Sequence, residues 1–160
     1  KPIDIFCSDH VFECLKREYR YIFDHNFKYP GIPKVNRFSL ENKTFSYKDL
    51  KIQPIQVMHY KLPVFGFRID KFCYITDASF IEKKEKEKLK NLDVLVINAL
   101  RKEKHISHFN LEEALNLIKE LNPKEAYLTH ISHLLGSHEA ISKELPNNVF
   151  LSHDKLSLTL

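Results

Sequence analysis

Four side chains stand where a ligand atom can be held rigidly and still face a crevice. His59 closes the apolar run Ile52, Ile55 and Val57, Asp77 follows Tyr74-Ile75-Thr76, and His130 follows Tyr127-Leu128-Thr129. His108 precedes the helical pattern that begins at Asn110-Leu111. Imidazole and carboxylate together suit zinc, manganese or iron, and one carboxylate can bridge two ions. A histidine ahead of a helix N-terminus can hold an anion beside free backbone N–H groups, or exchange a proton near neutral pH. Each residue alone has a plainer account. His59 and His130 can be hydrogen-bonded edge histidines, Asp77 a helix cap, and His105 and His108 ornaments of an exposed loop. The repeated order of strand and then ligand argues for a shared site, because strand ends in layered α/β folds converge on one crevice.

Hydrophobic periodicity supplies the supports. Ile3 to Cys7 reads as a strand, Ser8 or Asp9 as a cap, and His10 to Phe23 as an amphipathic helix with Val11, Leu15, Tyr19 and Ile22 on one face. Tyr29-Pro30-Gly31-Ile32-Pro33 breaks the pattern as a loop, and Arg37 to Leu50 is compatible with a hairpin or short meander. A strand leads to His59, and Val64 to Ile69 pairs with Phe72 to Thr76 through the turn at Asp70-Lys71. A charged helix is expected from Phe80 to Leu89, then a central strand from Asp93 to Asn98. Asn110 and Glu113 have the spacing of a capping box, and Pro123 ends the helix they open. After the strand that carries His130 come a short helix from Ser137 to Leu145 and two closing strands, Val149 to Leu151 and Leu156 to Leu160. No repeat or linker interrupts this order, so residues 1–160 read as one α/β domain.

Composition removes several function classes. With 43% apolar and 29% charged residues the chain is globular rather than disordered. No apolar run approaches the roughly 18 residues of a membrane helix, and no signal peptide opens it. The net charge of +4 is mild, and the Lys and Glu interleaved from Glu82 to Lys90 read as solvated helix surface rather than a nucleic-acid track. Three glycines without a Gly-rich loop argue against a nucleotide-cradling turn. Cys7, Cys14 and Cys73 form no CxxC pair. They read as small core residues of a protein in a reducing, cytoplasmic compartment, not as a catalytic thiol, although His10 lies close to Cys7.

Several stretches in order then resemble a known family. They are His59, Pro63-Val64-Phe65-Gly66-Phe67-Arg68-Ile69, Tyr74-Ile75-Thr76-Asp77, Asn98-Ala99-Leu100-Arg101, His108 with Leu111-Glu112-Glu113-Ala114, and Tyr127-Leu128-Thr129-His130-Ile131-Ser132-His133. Together they look like the second half of a metallo-β-lactamase-fold hydrolase. Their spacing is most similar to the phosphoribosyl cyclic phosphodiesterase branch, with tRNA 3′-processing endonucleases as more distant relatives. The resemblance implies a four-layer αββα sandwich of which this chain supplies mainly the C-terminal half. It implies that His59 binds one divalent ion, His130 a second, and Asp77 both, the ions being zinc or manganese with iron a further option. His108 would contact the scissile phosphate and assist the leaving group, with His133 as support beside the matched ligand.

The activity so implied is attack of a metal-bridged hydroxide on a small cyclic phosphate or nucleotide-like ester. An RNA or DNA nuclease of the same fold is the alternative, for which Arg101, Lys102 and Lys104 offer little basic surface. A non-catalytic interaction module that lost the metal site is the other. The family's His-x-His-x-Asp-His loop has no match here and is expected upstream of Lys1 or on a partner chain. On that expectation this chain alone is inactive and binds metal weakly. It would also expose an apolar sheet face to the missing half, a partner chain or a second copy.

Overall fold

The computed structural model describes residues 1–24, 26 and 30–159. These fall into two compact units, Lys1–Lys43 and Thr44–Leu160. In the first, β1 (Ile3–Cys7) leads into α1 (Asp9–Glu18), and the Ser8 hydroxyl accepts the Val11 N–H at 3.3 Å as its cap. The helical pattern expected to Phe23 breaks at Tyr19, whose φ of −113° and ψ of 46° leave the helix. A single further turn follows, α2 (Arg20–Phe23). Tyr19, Tyr21, Ile22 and Phe23 hold a helix less well than the straight-chain residues before them. The helices return the chain so that β2 (Val35–Ser39) pairs with β1 in parallel, Ile3 opposite Val35 and Cys7 opposite Ser39. This pairing replaces the first part of the expected hairpin or meander from Arg37, because a helical crossover allows parallel partners and a tight turn does not. Phe6 stacks on Phe38 at 4.8 Å, and the Arg37 guanidinium lies over the Phe12 ring while pairing with Asp9.

The second unit is built on one seven-stranded sheet whose spatial order is its sequence order. β3 (Phe45–Tyr47), β4 (Leu50–His59), β5 (Leu62–Ile69) and β6 (Phe72–Ile75) pair antiparallel in turn. Asp70 takes the left-handed φ of 50° that a two-residue hairpin turn requires. The chain then passes through α3 (Lys83–Lys86) with a 3-10 turn at Glu87–Leu89, β7 (Val94–Asn98), α4 (Leu111–Leu121), β8 (Glu125–Thr129), α5 (His138–Ser142) and β9 (Val149–Leu151). β6 through β9 are parallel, each joined to the next by a helical crossover.

One face of this sheet carries the core. Ile55, Cys73, Ile75, Leu95, Ile97, Leu128 and Leu151 pack with Leu89, Ala114, Leu117, Ile118 and Ile141. Each buried Leu or Ile stabilises by about 1.5–3 kcal/mol, so the crossovers are held mainly by this face. α4 buries Leu111, Ala114, Leu117 and Ile118 and has both halves of its capping box. Asn110 Oδ1 accepts from the Glu113 N–H at 2.8 Å, and Glu113 accepts from the Asn110 N–H at 3.0 Å. The helix stops at Asn122, in the left-handed region, just before Pro123. Buried Glu85 ties α3 to β4 by accepting from the Gln56 N–H at 3.0 Å and from Lys88 Nζ at 2.7 Å.

Further boundaries differ from the sequence expectation, and the short helix expected from Ser137 to Leu145 ends at Ser142. The helix expected from Phe80 begins only at Lys83, because the Ser79 and Phe80 backbones are engaged with Met58. Among the described residues, Leu156 to Thr159 form no strand, and β9 pairs with β8. Tyr29 and Leu160 lie outside the described residues. Among the described residues, no helix is long and apolar enough to cross a membrane.

Candidate metal centre

β4, β6, β7 and β8 all run the same way, because two antiparallel steps restore direction and the later steps are parallel. Their C-terminal ends therefore share one edge of the sheet. His59 is the last residue of β4, Asp77 follows β6 by two residues, and His130 is the first residue past β8. His108 sits on the loop that joins β7 to α4.

All four residues read from the sequence meet there. Ligand atoms of His59, Asp77 and His108 lie within 4.8 Å of one another. Asp77 Oδ1 is 3.2 Å from His130 Nδ1, and Oδ2 is 3.7 Å from His108 Nε2. The His108 ring stacks on His130 at a centroid distance of 4.7 Å and meets His59 edge-on at 4.8 Å. His108 is more enclosed than Asp77 or His130; burial pushes its pKa below 6.5, the Asp77 charge opposes this, and the neighbouring histidines add to it. Asp77 caps no helix; the Thr76 hydroxyl donates to its Oδ1 at 2.5 Å. His130 holds a left-handed backbone, φ 54°, at the first position past β8.

His59 tests whether this group suits a cation. Its Nε2 is buried and, among the described residues, has no hydrogen-bond partner. A buried polar atom left so costs about 1–3 kcal/mol, and a bound cation would satisfy it. Three imidazoles and a carboxylate are a borderline-soft donor set that fits zinc or manganese.

The carriers of these side chains are bonded directly to one another. Ala78, next to Asp77, accepts from the Phe109 N–H at 2.7 Å, and Phe109 accepts from the Leu100 N–H at 3.0 Å. Leu100 in turn accepts from the Ser132 N–H at 2.9 Å, and Thr129 accepts from the Ala99 N–H at 3.0 Å. On the other side, Met58 accepts from the Ser79 N–H at 2.7 Å, and the Ser79 hydroxyl accepts from the Tyr60 N–H at 3.0 Å. The loops bearing His59, Asp77, His108 and His130 thus form one hydrogen-bonded frame.

Asn98 completes the frame, and sequence reasoning did not give it a role. Its carboxamide is fully buried, accepts from the Ala78 N–H at 2.7 Å and donates to the Ala78 carbonyl at 2.9 Å. The available signal was a polar residue closing an otherwise apolar strand. His133 is exposed and, among the described residues, makes none of the contacts that join the cluster. Cys73 is sealed in the core, where burial pushes its thiol up to about 12.

Comparison with known proteins assigns the frame to a family. A model described as a beta-lactamase superfamily domain matches residues 1–131. The chain belongs to the beta-lactamase superfamily. Its fold is the mixed α/β metallo-β-lactamase fold, and it covers only part of the solved chains of that superfamily. It is similar to a diphosphatase from the PhnP family, with TM-score 0.90 and 28% identity, over 100% of this chain and 59% of that one. It also matches the Zn(2+)-bound PqqB of Methylobacterium extorquens, with TM-score 0.74 and 16% identity, over 100% of this chain and 66% of that one. Human tRNase Z, short form, matches with TM-score 0.68 and 16% identity, over 99% and 68%. A curated protein named octanoyltransferase, from Porphyromonas gingivalis, is 29% identical over 98% of this chain. The chain spans 32% of that relative and 59% of the diphosphatase.

Proposed function

We propose that this chain carries one side of a metal-dependent hydrolase site that cleaves a phosphorus ester or anhydride of a small, cyclic or nucleotide-like substrate. The observation that carries the reading is the meeting of His59, Asp77 and His108 within 4.8 Å, with His130 against the same carboxylate. The similarity to a diphosphatase favours phosphorus over an acyl carbon as the centre attacked. His59, Asp77 and His130 are the residues that would hold divalent ions, zinc or manganese, with the remaining ligands supplied from outside this chain. Such ions would supply Lewis acidity toward a phosphoryl oxygen.

His108 stands between these residues, with Nε2 facing the carboxylate. From there its doubly protonated form can hydrogen-bond a phosphate oxygen and hand the Nε2 proton to the departing one. Asp77 lies against His130 with one oxygen and faces His108 Nε2 with the other, where its charge favours a proton on that nitrogen. A small substrate is favoured over a nucleic acid by the nearby cations. Lys102 is engaged by Glu144 at 2.7 Å, and Arg101 donates to the Lys104 carbonyl.

The test is turnover by the full-length protein, with zinc or manganese, on bis(p-nitrophenyl) phosphate, nucleoside 2′,3′-cyclic phosphates and nucleoside diphosphates. His108→Ala should suppress turnover far more than metal content. Equal loss of both makes His108 a ligand, and no turnover on any of these esters or anhydrides sinks the hydrolase reading.

A further inference from the structure

The ring nitrogen of His108 that faces away from the cluster is not free. His108 Nδ1 lies 3.0 Å from His105 Nδ1 and 2.9 Å from the Ser107 hydroxyl. His105 Nδ1 also receives the Ser107 backbone N–H at 3.4 Å. A backbone N–H can only donate, so His105 Nδ1 presents its lone pair and carries its own proton on Nε2. Two lone pairs facing each other at 3.0 Å repel, so the hydrogen between the rings is assigned to His108 Nδ1, with the Ser107 hydroxyl oxygen at 2.9 Å as a second acceptor. In the neutral ring the proton is thereby placed on the outer side, and Nε2 is left to take up and release a second proton beside Asp77.

We propose that His105 is a positioning residue for the hydrolase site: through Nδ1 it fixes the orientation and tautomer of His108, so that Nε2 is the nitrogen offered to the reaction. The proposal rests on the functional reading above only for its consequence; the contact itself is independent of what is hydrolysed. Nothing in the local sequence required it. His105 and His108 are three apart on a loop without a helix to align them, and only the turn through Ile106 and Ser107 brings their Nδ1 atoms together. The arrangement also restricts which residues can replace His105. An acceptor of similar reach, such as the Gln carbonyl oxygen, can receive the His108 N–H; an aliphatic side chain cannot.

The experiment is nitrogen-15 NMR of the imidazole rings in the full-length protein, metal-free and with zinc, in parallel with steady-state kinetics. In the wild type, His108 should show a protonated Nδ1 in both states. His105→Leu should shift the signals toward the other tautomer and lower kcat by about 10- to 100-fold, the usual effect of losing a partner behind a functional ring, with KM little changed. His105→Gln should keep the wild-type ring signature and recover most of kcat. A wild-type His108 whose neutral ring carries its proton on Nε2, or a His105→Leu protein with an unchanged His108 signature, overturns the proposal. The wild-type signature together with no phosphorus-ester turnover would uphold the positioning and remove the hydrolase.

Discussion

The carboxamide of Asn98 meets both backbone groups of Ala78, donating to its carbonyl and accepting its N–H. Asp77 is the next residue, so the last side chain of a buried strand sets where the carboxylate stands. Ala78 keeps a second donor, the Phe109 N–H, on its carbonyl. Loss of the Asn98 side chain therefore orphans one buried group, the Ala78 N–H. Asn98→Ala should cost about 1–3 kcal/mol of folding stability. It should also weaken zinc binding by about 10-fold or more, since Asp77 loses its brace. Urea unfolding and zinc titration of the full-length protein measure the two effects, and unchanged zinc affinity in a folded variant would separate Asn98 from the site.

The orphaned Nε2 of His59 gives opposite signs with and without metal. In chelator-treated protein, His59→Leu removes an unmet buried nitrogen and should raise stability by about 1 kcal/mol. With zinc present the same change removes a ligand, and the zinc-dependent rise in melting temperature should shrink or disappear. Thermal scans of both proteins with chelator and with zinc decide it. Equal stabilisation by zinc in the two proteins would place the ion elsewhere.

Acidification should destabilise the metal-free fold through His108. Burial lowers its folded pKa below 6.5, so the unfolded chain takes up this proton at a higher pH than the folded chain. Stability therefore rises with pH between the lowered value and 6.5. The cost is complete below the folded value and absent well above 6.5. Denaturation midpoints from about pH 5 to pH 8 should fall on the acid side, and His108→Gln should flatten that part of the curve. An equal slope in the variant would assign the effect to another group.

Gly66 is required by its neighbours rather than by its backbone angles. A Cβ there would sit 2.7 Å from Ile75 Cγ1 and 2.8 Å from the Tyr74 carbonyl oxygen. The carbonyl belongs to a hydrogen-bonded strand and cannot swing aside. Gly66→Ala should destabilise by about 1–3 kcal/mol, a drop of about 2–4 °C in Tm for each kcal/mol. Because Ile75 lies two residues before Asp77, reduced metal affinity should accompany it. A calorimetric scan with an unchanged Tm would show that β5 and β6 can part without cost.

Local signals in the sequence carried over well, and distant ones did not. Asn110 and Glu113 could be read as a capping box because both partners lie within one turn. His59, Asp77 and His130 could be read as strand-end residues because the apolar runs before them mark where each strand stops. The parallel pairing of β2 with β1 was not legible, since no local pattern names a partner on the far side of a helix. Nor was the shortening of the helix expected at Phe80, which follows from the backbone of Met58, over twenty residues earlier. The 3.0 Å contact of His105 with His108 depends on loop torsions that residue types leave open.

The left-handed backbone at His130 narrows the set of side chains that position can accept. Outside glycine, histidine, asparagine and aspartate are the residues that enter this region most readily. The turn after β8 therefore tolerates very few alternatives that keep its shape, and histidine is the one that also presents an imidazole. Asparagine would be a silent replacement for the backbone and a loss for the chemistry. His130→Asn thus separates scaffold from ligand at one atom group, where alanine would disturb both at once.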